Sequence, residues 1–143
     1  MRRARRILLM AILASSLAVP GCTARASAGA ASHQSWVREE LWLGSEIPAG
    51  GEVTAEAWEA FVAEEVAPRF PDGFSVMEAA GHWRHPDGRA VRERTRVLVV
   101  LRAAGDAAAE REVAEIAEAY AMRFGQDAVL RTTDDVDVRF VER

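Results

Sequence analysis

The chain has 143 residues, 50% of them hydrophobic, with 18 basic side chains against 22 acidic ones and one cysteine. A single cysteine excludes an intrachain disulfide, and the absence of lysine and asparagine excludes Schiff-base lysine chemistry and N-glycosylation. The net charge of −4 lacks the basic footprint that nucleic acid needs, so no nucleic-acid partner is expected.

The N-terminus reads "MRRARRILLMAILASSLAVPGC". Four arginines precede an apolar run from Ile7 to Val19, the layout of a secretory signal and too short for a mature membrane span. Val19-Pro20-Gly21-Cys22 resembles a bacterial lipobox, in which the cysteine is acylated (palmitate among its chains) and becomes the new N-terminus. Cleavage after Ala26-Ser27-Ala28 is the alternative and would discard Cys22. The twin arginines lack the rest of a twin-arginine motif, so the general secretory route is expected. The expected layout is a lipoprotein-type signal peptide over 1–21, a flexible tether over 22–34 and one domain over 35–143. Lipidated Cys22 would anchor the protein to the bacterial envelope on the extracytoplasmic side, in the periplasm or at the outer membrane of a Gram-negative cell. Removing the four arginines before Cys22 leaves 14 basic against 22 acidic residues, a charge of −8.

In the domain, "WVREELWL" from Trp36 to Leu43 alternates with a period of two, which predicts a strand with two unlike faces. Thr54 is a candidate N-cap, with Glu56 in the first turn. Trp58, Phe61, Val62 and Val66 then form a helical stripe that Pro68 ends. "GFSVMEAAGHWR" predicts a second strand and "TRVLVVL" a third. Asp106 or its neighbours begin a second helix, with Val113, Ile116, Ala117, Tyr120 and Phe124 on one stripe and Gly125 as its stop. "AVLRTTDDVDVRFV" predicts a final strand or two, with Val136, Val138 and Phe140 alternating with charge. This β-α-β-β-α-β order predicts an α+β, ferredoxin-like sandwich, an antiparallel sheet with two helices on one face.

His85-Pro86-Asp87-Gly88 suits a turn joining the second and third strands, which places His82 and His85 on opposite faces of a hairpin. With no cysteine beside them and His33 in the tether, no metal site is expected, and no cofactor motif is present. "VLVVL" is apolar in both phases, as in a central strand covered on both sides. Two helices cover one side. If they take the face of Leu41, Val76 and Val99, the other carries Trp36, Glu40, Trp42, Met77, Trp83, Arg94, Arg96, Leu98 and Val100. Aromatics and arginines around an apolar centre make that face the candidate binding surface, with Trp42, Trp83, Arg94 and Arg96 its candidate residues.

Glu78 shares a phase with Phe74 and Val76, which directs it toward the core unless a bulge or strand end lets it reach solvent. It and Glu40 are the candidate catalytic bases, and Arg69 is a candidate anion-binding or helix-capping residue. Ser45 and Ser75 have no histidine at a suggestive position, and "AGGE" matches no phosphate loop.

Glu40-Leu41-Trp42-Leu43-Gly44, Pro68-Arg69-Phe70-Pro71, Gly81 to Trp83 and Arg92 to Arg94 carry a resemblance running from about Trp36 to Phe140. The pattern resembles a bacterial family known as domain of unknown function number 3574, with Trp42 where tyrosine is expected and His82 where glutamine is expected. Resemblance to that family implies a small exported protein, often a lipoprotein, and implies no activity, substrate or catalytic residue. The expected function is a lipid-anchored binding or interaction module using its open sheet face, homodimeric in the simplest version, with a small molecule or a protein as the other partner. A small cofactor-independent enzyme with a pocket on the same face is the alternative. A structural envelope lipoprotein without ligand is the third reading.

Overall fold

Val37, Glu39, Leu41 and Leu43 are buried on one side of the first strand, β1 (Trp36–Gly44), and the residues between them are less so. A computed structural model describes residues 34–84 and 87–141; the signal segment, Cys22, His33, His85 and Pro86 lie outside the described residues. The model is an α+β structure of four strands and two helices, as the periodicity predicts. Helix α1 (Ala55–Phe61) starts where Thr54 Oγ1 accepts the Ala57 N–H at 3.2 Å, the expected N-cap. It widens into a π-helical turn over Val62–Val66, closed by Ala67 N–H donating to Val62 O at 2.9 Å. Pro68, which has no N–H to donate, follows directly.

Strands β2 (Ser75–Arg84) and β3 (Ala90–Ala103) form the expected hairpin, with Gly88 at φ +90°, where a side chain would be strained. Helix α2 (Ala107–Phe124) is capped by Asp106, whose Oδ1 accepts the Ala108 and Ala109 N–H groups at 3.1 and 3.0 Å. It stops at Gly125 in the left-handed region, φ +62°. The last strand, β4 (Leu130–Val136), ends earlier than the alternation through Phe140 predicts. Phe140 instead sets its ring edge-on to Trp36, with centroids 6.4 Å apart.

The sheet order is β2-β3-β1-β4, with every neighbouring pair antiparallel. Both helices contribute to one core on one side of it: Trp58 and Phe61 of α1 and Val113, Ile116, Tyr120 and Phe124 of α2 pack with Leu41, Leu43, Leu98 and Val100. Tyr120 sits at its centre, its ring 5.2 Å from Phe61 and 4.7 Å from Phe124, and its hydroxyl donates to Gly44 O at 2.8 Å. Burying each such ring contributes roughly 1.5–3 kcal/mol.

The register corrects the expected phase of β3. Leu41 pairs with Leu98 and Leu43 with Arg96, so Leu98, Val100, Arg94 and Arg96 share the helix-covered side with Leu41. Val97 and Val99 lie on the open side, opposite Trp42 and Glu40. The reason is that the apolar run is equally apolar in both phases, so pairing with β1 decides the phase. Edge strand β2 lies mostly exposed on both sides, Val76 and Glu78 included.

Candidate functional site

Trp42, opposite Val97, and Trp83, opposite Val91, both lie on the open face. They line a pocket of about 410 Å³ at the end of the sheet where β1 stops, with Gly44, Gly81, Glu93 and Thr95 from the strands and Gln126 to Ala128 from the loop after α2. Two of its residues have no side chain, and neighbouring polar side chains fill the space they leave. A Cβ at Gly44 would meet the Glu93 carboxylate at 2.5 Å, and one at Gly81 would run into Thr95 Oγ1. Neither glycine has a positive φ, so the space these positions leave for polar side chains is what calls for glycine there.

Glu93 thus lays its carboxylate over Gly44 on the open face. Its Oε2 accepts the Glu46 N–H at 2.7 Å, and Gln126 Nε2 donates to Glu46 O at 2.8 Å. One loop residue therefore ties the floor of the pocket to its rim. Sequence alone does not single out Glu93, because three separate segments create its place. The glycines at 44 and 81, lying within alternating strands, were the available signal.

The other candidates go elsewhere. Arg94, on the helix-covered side and exposed, pairs with Glu52 at 3.3 Å. Arg96 is 4% exposed, with its guanidinium 5.1 Å from the Trp58 ring centroid and its Nη1 buried without a hydrogen-bond partner. Glu78 lies opposite Arg96 and borders a more open cavity of about 650 Å³ on that side. Glu40 belongs to a cross-strand ladder on the open face, 3.3 Å from Arg38 Nε and accepting Thr132 Oγ1 at 3.2 Å. Arg69 caps the π-helical turn that follows α1, Nη1 donating to Glu65 O at 2.7 Å, and is encircled by Glu65, Glu112 and Glu115. These carboxylates already occupy the Arg69 guanidinium. Glu40 and Glu78 lie on opposite faces and share no pocket.

A second polar cluster lies on the helix-covered side. Glu39, fully buried, accepts Arg102 Nε and Nη2 and Arg131 Nη2 on Oε1, at 2.9, 2.7 and 2.8 Å. Its Oε2 accepts Arg131 Nε at 2.9 Å and Thr133 Oγ1 at 2.8 Å. Burial alone would raise the carboxyl's pKa, but the hydrogen bonds from Arg131, Thr133 and Arg102, with Arg131's charge, lower it to about 2. Saturated on both oxygens, this carboxylate is a bolt across β1, β3 and β4 with no capacity left for a substrate. Burial pushes the Tyr120 hydroxyl up to about 12, against the pull of Arg96's charge and with Glu93's adding to the rise.

Among the described residues no group of three or more His, Cys, Asp or Glu could hold a metal ion, and no helix is long and apolar enough to cross a membrane. Two pairs of candidates thus share a cavity: Glu78 and Arg94 border the larger, more open one, and Trp42 and Trp83 line the smaller, which also has the Glu93 carboxylate in its lining.

The fold has solved counterparts. A phage SAM lyase in complex with S-methyl-5'-thioadenosine is similar at 14% identity, covering 75% of this chain and 93% of its own, with a TM-score of 0.54. The same description of a phage SAM lyase in the apo state gives 13% identity, coverage of 74% and 92%, and a TM-score of 0.53. At such identities the likeness is one of fold alone. No curated protein matches the chain. The family described as "Protein of unknown function (DUF3574)" matches residues 38–140, from the third residue of β1 to the ring that packs on Trp36. That span takes in every strand and helix but the first two residues of β1, and the chain belongs to this family.

Proposed function

We propose that this protein is an exported, lipid-anchored binding module of ferredoxin-like topology, working through its open sheet face on the outer side of a bacterial membrane, with self-association its simplest use. The strand order β2-β3-β1-β4 and the two helices on one side support the topology. The lipobox-like Val19 to Cys22 and the arginine-led apolar run support export and anchoring.

One observation carries the use of the face: Met77, Trp83, Leu101 and Leu130, 50, 39, 43 and 59% exposed, all lie on the side that no helix covers. Large apolar side chains left exposed along one face are a solubility liability when nothing covers them. A second copy offers the same apolar surface in return, as a two-fold contact requires. Sedimentation of the full chain in mild maltoside detergent tests this, with Met77→Arg as the variant. The expected result is a dimer that Met77→Arg turns into a folded monomer; a wild-type monomer at micromolar concentration would remove self-association. Labelled palmitate should enter the wild type and not Cys22→Ser.

A small cofactor-independent enzyme on the same face is the second reading. The pocket between Trp42 and Trp83 favours it, and a lyase exists on a similar fold. Its acid or base would be Glu93, because Glu40 and Glu78 lie away from that pocket.

A further inference from the structure

We infer that the pocket between Trp42 and Trp83 takes an organic cation, an alkylammonium or quaternary ammonium group, held by the two indoles and the Glu93 carboxylate. The inference rests on the binding-module reading and names the ligand class of its face. Four features of the pocket converge on it. At about 410 Å³ the pocket has the size of a small-molecule site. Two of its walls are tryptophans, the side chains whose ring faces attract cations most strongly. Among the described residues that line it, the acids are Glu93 and Asp127, the latter already engaged in an interaction of its own, with His82 beside them and no arginine.

The fourth feature is that Glu93 is set in place before any ligand arrives. The missing side chains of Gly44 and Gly81 let it lie across the floor, and the Glu46 N–H holds its Oε2 at 2.7 Å, leaving Oε1 free of any hydrogen bond to the described residues. A carboxylate fixed under an aromatic-walled hollow needs no reorganisation to meet a cation, which lowers the cost of binding. An anion would face repulsion from the same floor, and a purely apolar ligand would cover the carboxylate without compensating it.

The test uses choline and its neutral isostere, 3,3-dimethylbutan-1-ol, added to the full chain in maltoside micelles. The four indole N–H signals are followed by NMR, with Trp58, 9% exposed in the core, as the internal control. Choline should shift Trp42 and Trp83 saturably, with a millimolar-range constant, and the isostere should bind roughly tenfold more weakly. Glu93→Gln, whose amide oxygen can still accept the Glu46 N–H, should weaken choline by roughly tenfold with Trp58 unmoved. Equal binding of the isostere, no saturable shift below about 50 mM, or full affinity in Glu93→Gln would overturn the assignment. Should Glu93→Gln fail to fold, Trp83→Leu replaces it: loss of the choline shift at Trp42 is expected, and its persistence counts against the cage. Sedimentation of the same samples separates the two proposals. A dimer blind to choline sinks the cation alone, and a monomer that binds choline sinks self-association alone.

Discussion

Arg102 turns its guanidinium onto Glu39 across the β1–β3 seam, Nε and Nη2 donating to a single carboxylate oxygen at 2.9 and 2.7 Å. Arg131 closes on the same carboxylate from β4. Glu39→Gln removes the carboxylate that both guanidiniums hydrogen-bond and leaves Arg102, 8% exposed, with only the more distant Glu110 carboxylate, 3.7 Å away, as a counter-charge. The expected loss is about 3–5 kcal/mol of unfolding free energy, read from urea melts at neutral pH. A loss under about 1 kcal/mol would mean that the ions gain little over a neutral hydrogen-bonded group.

The same carboxyl sets a pH dependence. Its pKa in the folded protein, about 2, lies below its ordinary value of 4.5, so the folded state binds fewer protons than the unfolded one in between. The stabilisation is complete above about pH 5 and disappears as pH falls through the folded value. Its size follows from the shift and is on the order of 3 kcal/mol. The stability gap between wild type and Glu39→Gln should therefore shrink steadily from pH 5 to pH 2. A constant gap would assign the effect to packing.

Gly44→Ala and Gly81→Ala should differ. At Gly44 the new methyl meets the far end of a flexible side chain, so Glu93 can swing aside and give up the Glu46 N–H. That exchange costs about 1 kcal/mol. At Gly81 it meets Thr95 Oγ1, on a side chain 6% exposed with little room to turn, and about 1–3 kcal/mol of overpacking is expected. Thermal melts rank the two; equal costs would mean that Thr95 rotates freely.

Arg96→Met should leave the protein as stable as the wild type to within about 1 kcal/mol, or more stable. The substitution removes a buried charge with an unpartnered Nη1 and keeps a long flexible chain beneath the Trp58 ring. The loss is one cation–π contact, worth about 0.5–2 kcal/mol. Unfolding of this variant would show that the guanidinium holds α1 to the sheet.

The architecture was legible because its signals are local. Thr54, Asp106 and Gly125 mark helix ends by their own backbone chemistry, and the two faces of β1 follow from a period of two. The phase of β3 was not legible. From Val97 to Leu101 both phases are apolar, so nothing local says whether Val99 or Leu98 faces the helices, and Arg94 and Arg96 go with Leu98. Arg96 is buried under an indole, and Arg102 finds its counter-ion two strand positions off the pairing row. Such burial depends on partners distant in sequence, which periodicity cannot see. Trp42 and Trp83 were found because large amphipathic rings on an open face stand out in any register, whereas Glu93 resembles any surface acid until the two glycines beside it are placed in space.

Both backbone polar groups of Glu46 are claimed by side chains, its N–H by Glu93 and its carbonyl by Gln126. A shift of the loop that follows α2 would thus be transmitted through one residue to the acid on the other side of the hollow. Rim and floor behave as a single mechanical part, so the cage cannot open at its edge without also moving its charge.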